Sequence, residues 1–375
     1  MSTETPEHTA PAPSWRSPLL GLPGAVAAEG PDAGVAWHYG DPVAEQRALL
    51  RGEAVVDLSH RGVVRVSGPD RLSWLHSTTS QALNGLAPGT STESLVLSPT
   101  GRIEHDLHLL DDGEAAWITV EPGEREPLVA WLRKMRFALR VEVEDVTGEW
   151  AVLGEPSREP GDGAGPVWVD PWPGPVPANE GGSADTASYA AVPTPLHPGT
   201  ERPWREVLVP RAELAARVAG RRPAGTWASE ALRVEAWRPR LGLETDERSI
   251  PHELDWLRTA VHLHKGCYRG QETVAKVHNL GRPPRRLALL HLDGSSHDLP
   301  AHGDDVVLAE APGRAVGRVT TAARHHELGP VALAVLKRSV PVDAPLFAVA
   351  GSASGAGAAE QPRRLAAAQE VVVAP

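Results

Sequence analysis

The order of apolar and polar residues changes period repeatedly along the chain. Residues 43–50 place apolar side chains at helical spacing and stop at Arg51-Gly52, which predicts a short helix. Residues 54–58 and 62–66 follow as strands, the second alternating Val63 and Arg65 against Val64 and Val66. Turn chemistry at Ser67-Gly68-Pro69-Asp70 leads into a helix over 71–81, with Asp70 placed to cap its first turn. Residues 94–97, 103–110 and 114–120 read as a strand meander, 128–137 as an amphipathic helix and 141–146 as a further strand. Strands and helices mix without a βαβ rhythm, which predicts an α+β fold rather than a doubly wound sheet.

From about residue 155 to 203 the chain is dense in Gly and Pro, with 167–169 and 187–192 as short strands carried on long loops. A strand at 206–209 and helices at 212–219 and 226–238 come next. After Arg286 short β-like runs dominate, at 287–292, 305–309, 315–321, 331–336 and 347–350, with the spacing of a small antiparallel barrel. The domain plan this suggests is a disordered tail at 1–35 and an α+β domain built from 36–150 plus 226–284. A second α+β domain with the Gly/Pro-rich insert then spans 151–225, followed by a barrel at 285–350 and a tail at 351–375.

Composition narrows the function classes. The net charge is −11, which argues against a general binder of DNA. The longest apolar runs, near 331–336 and 346–350, fall far short of the ~20 residues that span a bilayer, so no membrane role is expected. Residues 1–30 have no basic start followed by an apolar stretch, and one cysteine suits a reducing compartment, so a cytoplasmic location is expected. A single Cys per chain also excludes a four-cysteine iron–sulfur centre within one chain. The acidic exterior suggests a monomer kept soluble by charge.

The chemistry concentrates in residues 258–286. Seven bases (Arg258, Lys265, Arg269, Lys276, Arg282, Arg285, Arg286) face one acid, Glu272, a local charge of +6 inside an acidic chain. Such a segment suits an anionic ligand, a carboxylate tail or a phosphate. It also holds the sole cysteine, Cys267, and two of the four lysines. Three readings of Cys267 stand open: a small buried hydrophobe, a metal ligand with His262, His264 and His278, or a reactive thiol whose pKa is lowered by Lys265 and Arg269. Gly266 and Gly270 open the backbone for close approach in the last of these.

The run Lys265-Gly266-Cys267-Tyr268-Arg269-Gly270-Gln271-Glu272 resembles the K-G-C-Y-x-G-Q-E signature of the YgfZ family. These are tetrahydrofolate-binding proteins that support iron–sulfur enzymes and resemble the glycine-cleavage T-protein, an aminomethyltransferase. Val56-Asp57-Leu58-Ser59-His60, Ser98-Pro99-Thr100-Gly101-Arg102-Ile103, Arg233-Val234-Glu235-Ala236 and Ile250-Pro251-His252-Glu253 match further family blocks in the expected order. The resemblance covers roughly residues 36–350. It implies a T-protein-like three-domain ring with the pterin in a central opening, and tetrahydrofolate as the cofactor. It also implies Glu235 on the pterin edge, Arg240 and Arg258 on the glutamate tail, and Lys265, Gly266, Tyr268, Gly270, Gln271 and Glu272 around the ligand.

Departures from the T-protein pattern bear on the reaction. Of its acidic pair the chain keeps Asp106, preceded by His105, and Trp237 stands where T-proteins carry Gly. The leading expectation is therefore an accessory factor for assembly or repair of iron–sulfur clusters in client proteins, with Cys267 as the functional thiol. The rival is a folate-dependent one-carbon transferase or demethylase with Asp106 or His105 as general base. A third is a scaffold that no longer binds folate because Trp237 crowds the pocket.

Overall fold

A computed structural model describes residues 15–161, 165–295, 298–353 and 362–375. Six α-helices lie among them: α1 (Pro42–Leu50), α2 (Arg71–Thr78), α3 (Arg125–Met135), α4 (Leu214–Val218), α5 (Thr226–Glu235) and α6 (Gln271–Leu280). Two five-stranded sheets and a closed six-stranded barrel organise the rest. The fold is α+β, as the mixed periodicity predicts.

The first sheet runs in the order Val167–Val169, Arg205–Pro210, Trp150–Glu155, Ala54–Asp57, Arg222–Ala224. The second is the expected meander, Thr90–Leu97, Ile103–Asp111 and Ala115–Val120, continued by Gly62–Ser67 and Glu142–Asp145. Its outer face carries α2 and α3. Trp74, Leu75, Leu128 and Leu132 bury there against Val64, Leu107 and Ile118, each worth roughly 2–3 kcal/mol of transfer free energy. The other face is partly polar, and the two sheets approach each other across it.

Local chemistry sets the element ends. Pro42 opens α1 behind Asp41, whose carboxylate accepts the Ala44 N–H at 2.9 Å. Asp70 does not cap α2. Its carboxylate is taken by Arg140 instead, at 2.7 Å. Residues 187–192 form no strand. Ser188 and Tyr189 there hydrogen-bond the buried Asp255, and Ala190 makes a single bridge to Val373.

Both expected tails need correcting where they fall on described residues. Residues 15–35 are tied down: Leu19 packs with Val55 and Leu214, the Ser17 hydroxyl donates to Asp57, and Asp32 is buried in an ion-pair cluster. Residues 1–14 and 354–361 lie outside the described residues. At the other end Arg363–Val371 is the sixth barrel strand, pairing with Arg285–Leu292 on one side and Leu346–Ala350 on the other. Its inward positions are Leu365 and the small Ala367, the latter flanked by Ala366 and Ala368, so the alternation that reveals a strand is weak.

The signature segment supplies the helix α6, which no periodicity in 258–286 predicts. Gly270 precedes it at φ +83°, where a side chain is strained, and a Cβ there would lie 2.5 Å from the Ser98 carbonyl. Gly101 stands opposite, its own Cβ position 2.7 Å from Thr273. The two glycines let the Cys267 loop press onto the Ser98–Gly101 turn.

Candidate functional site

Register on the second sheet places Glu93 beside His108 and His108 beside Thr119 on three adjacent strands. Asp106 shares the face of His108, two residues earlier on the same strand. From the facing sheet come Glu206 and Trp168. Arg238 and Arg240 arrive from the segment after α5. These groups surround a cavity of about 30 Å³ lined by Asp106, His108, Glu206, Asp170 and five arginines (Arg61, Arg202, Arg233, Arg238, Arg240), among others.

The imidazole of His108 is fixed from three directions. Its ring stacks on Trp168 with centroids 3.8 Å apart and 3° between planes. Its Nδ1 lies 3.1 Å from Glu206, and its Nε2 lies 3.6 Å from Asp106 Oδ2. Burial opposes a charge on this ring, but Glu206 and Asp106 outweigh it and raise the pKa to about 10. Burial likewise opposes ionisation of Glu206, yet Arg61 and His108 hold it well below the usual carboxylate range. Asp106 Oδ1 is buried with no hydrogen-bond partner. A buried carboxylate oxygen without a donor is costly, so such an atom marks where a ligand or proton would be received.

Arg238 bridges Glu93 at 2.7 Å and Asp170 at 3.2 Å. Glu93 also accepts from Trp256 Nε1 at 3.0 Å and Thr259 Oγ1 at 2.5 Å, and burial pushes its pKa up to about 7 against the pull of Arg238. Among the described residues the ligand atoms of Glu93, Asp106 and His108 lie within 4.8 Å of one another, close enough for one cation. The Arg238 guanidinium supplies positive charge at that spot.

The expected site residues do not gather in one place. Asp106 is in the centre. Glu235 ends α5 on the side of the barrel, half-exposed, with its carboxylate 3.1 Å from His325 Nε2. Arg240 is buried, and its terminal nitrogens are taken by Asp32 and Glu121 at 2.6 Å each and by Glu230 at 3.4 Å. Arg258 is equally enclosed, its Nε 2.8 Å from Asp255.

Around Cys267 the two expected cations are engaged elsewhere. The thiol is exposed, beside the open Gly266. Lys265 turns inward, and its ammonium donates to the carbonyls of Thr79 (2.6 Å), Gln81 (2.8 Å) and His76. Arg269 pairs with Glu104 at 2.7 Å. Both cations are spent on partners other than the thiol, because the end of α2 and the strand at 104 offer them buried or half-buried acceptors. His262 and His264 face Asp185 at 3.6 Å each, and Tyr268 is buried in the core beneath the loop. Gln271 begins α6 and Glu272 stands exposed in its first turn.

Sequence reasoning missed Glu93, His108, Glu206, Asp170 and Arg238. A signal exists for His108, a polar residue flanked by Leu107 and Leu109 inside a buried strand, which marks a group needing a partner; Glu93 lies between Thr92 and Ser94 and Glu206 follows Arg205, so neither stands out from its neighbours. Asp170 and Arg238 sit in loops and carry no such mark.

The central donor set suits a hydrogen-bonding ring such as a pterin, since Asp106 Oδ1, Arg61 Nε and Arg240 Nε are buried without partners. The closed volume does not. About 30 Å³ holds one water, whereas ligand pockets run from about 300 to 1,000 Å³. No helix among the described residues is long and apolar enough to cross a membrane.

Comparison with known proteins bears on the fold. Residues 24–154 match the model of the GCVT N-terminal domain. A candidate transferase of the Arabidopsis thaliana chloroplast is 28% identical over 295 residues, which is 73% of this chain but 62% of that protein's length. The chain thus spans less than two thirds of this relative. An aminomethyltransferase of Rubrobacter xylanophilus is 28% identical over 307 residues, 78% of each chain. The solved glycine cleavage aminomethyltransferase T of Bartonella henselae superposes with a TM-score of 0.69 over 94% of this chain and 93% of its own, at 16% identity. At that identity the likeness is one of fold, and the fold is T-protein-like.

Proposed function

We propose that a protein with this T-protein-like fold binds a reduced folate at the junction of its two sheets and handles a one-carbon group there, with Asp106 as the acid or base. The observation that carries the reading is the unpartnered, buried Asp106 Oδ1, backed by His108 and Glu206, at the centre of a fold shared with an aminomethyltransferase. Likeness to the Rubrobacter xylanophilus aminomethyltransferase over 78% of the chain supports it. In this reading the ring requires the centre to open, since its closed volume is about 30 Å³.

The test is calorimetric titration with tetrahydrofolate under anaerobic conditions. Saturable binding is expected, weakened about tenfold or more in Asp106→Asn, since losing a charged hydrogen-bond acceptor costs roughly 1.5–3 kcal/mol. Absence of binding by the native chain contradicts the reading.

One observation favours a second reading, support of iron–sulfur clusters in client enzymes. Cys267 is exposed on a loop that Lys265 and the Gly101–Gly270 contact hold rigidly against the body, as a thiol meeting another protein needs to be. Cells lacking the protein should regain [4Fe–4S] enzyme activity with the native chain and fail to with Cys267→Ser. Full rescue by the serine variant rejects this role.

A further inference from the structure

A second cavity, apart from the junction of the sheets, lies where residues 18–23 cross the end of α4. Its volume is about 530 Å³, within the range of small-molecule pockets. The walls are mainly apolar: Leu19 and Leu22 on one side, Ala215 and Val218 on the other, closed by Pro18 and Pro223. Tyr39 also lines it, and the hydroxyl of Tyr39 is buried without a hydrogen-bond partner. Burial, with Asp57 and Glu45 nearby, raises the phenol above its ordinary range, so the hydroxyl keeps its proton.

The charged groups at this cavity differ in what they have left to give. Glu45 accepts from the Tyr39 N–H at 2.8 Å with one oxygen and from the Gly225 N–H at 2.9 Å with the other. Asp41 caps α1. Arg221 is paired with Glu155. Arg222 is exposed at the rim and makes no contact ion pair among the described residues, although its charge reaches Glu53. The lining carboxylates are engaged, while the Tyr39 hydroxyl has no partner and the Arg222 guanidinium has no contact ion pair.

We infer that this cleft binds a small apolar anion, a ring or short chain carrying one carboxylate or sulfonate. The apolar body fills the space between Leu22 and Val218, Tyr39 donates its hydroxyl to an acceptor on the ligand, and Arg222 receives the anionic end. The volume is large enough to bury such a molecule, and desolvating its apolar surface supplies the affinity while the two polar groups fix its orientation. The site is independent of the folate reading.

The probe is 1-anilinonaphthalene-8-sulfonate, an aromatic anion whose emission brightens and shifts to the blue in an apolar site, titrated into the full chain. One saturable site is expected. Binding should weaken roughly fivefold in Tyr39→Phe, which keeps the ring and removes the donor, in line with one hydrogen bond. Arg222→Glu, a change on the exposed rim that leaves the core untouched, should weaken it tenfold or more, and an uncharged anilinonaphthalene should not feel that change. Equal binding of the sulfonate by native chain, Tyr39→Phe and Arg222→Glu, or no saturable binding by the native chain, overturns the assignment.

Discussion

Replacing Arg240 with Met is expected to lower the free energy of unfolding by about 3–5 kcal/mol, the cost of removing one partner from a buried ion pair. The guanidinium joins three separate parts of the chain. Asp32 comes from the segment before α1, Glu121 from the end of a strand in the second sheet, and Glu230 from α5. Without the guanidinium these carboxylates face one another in a low-dielectric interior, and the damage is greater than the loss of one contact. Arg240→Lys should recover part of the stability, since a compact ammonium cannot fork to three acids. Urea denaturation reads both effects. Native stability in Arg240→Met, together with loss of folate binding, would return this residue to the ligand-holding role that the family resemblance implies.

The second large effect concerns Lys265. Its ammonium closes the end of α2 by donating to three main-chain carbonyls, and burial pulls its pKa down to about 7. Lys265→Met keeps most of the stem but orphans the carbonyls of His76, Thr79 and Gln81, at about 1–3 kcal/mol for each that water cannot reach. A total loss of about 3 kcal/mol is expected, read by urea denaturation. The reactivity of the Cys267 thiol toward an alkylating reagent should stay within about twofold in the folded state, because the ammonium does not touch the sulfur. Unchanged stability with a slowed thiol would show that Lys265 serves Cys267 instead.

Lys265 also shows where sequence reading stops. One residue, Gly266, separates it from Cys267, and a charge so near in sequence invites an electrostatic link. In a turn those two side chains leave in different directions, one into the body and one to solvent. What decides the direction is a cluster of acceptors at residues 76–81, almost 190 positions away in the chain, which no local pattern reveals.

The second sheet was legible because its strands are short runs rich in β-branched and aliphatic residues bounded by turn signals, and five barrel strands were legible for the same reason. The sixth was not, since its inward residues include alanines, whose hydrophobicity scarcely contrasts with their neighbours. In the site, Asp106 could be reached through the family resemblance. His108 is visible as a polar position between Leu107 and Leu109, but its pairing with Glu206 joins residues 98 apart and depends on how the two sheets face. The placement of Glu235 is a different lesson. Its motif matches the family, while its side chain lies against the barrel beside His325, away from the central cavity.

That difference in place gives the most direct test of the account, which locates folate at Asp106 between the sheets. The anaerobic tetrahydrofolate titration, run with Glu235→Ala beside Asp106→Asn, separates the two positions. Glu235→Ala should bind within about twofold of the native chain while Asp106→Asn loses tenfold or more. Loss of binding in Glu235→Ala, with Asp106→Asn unchanged, would move the site to the α5–barrel junction and contradict the account.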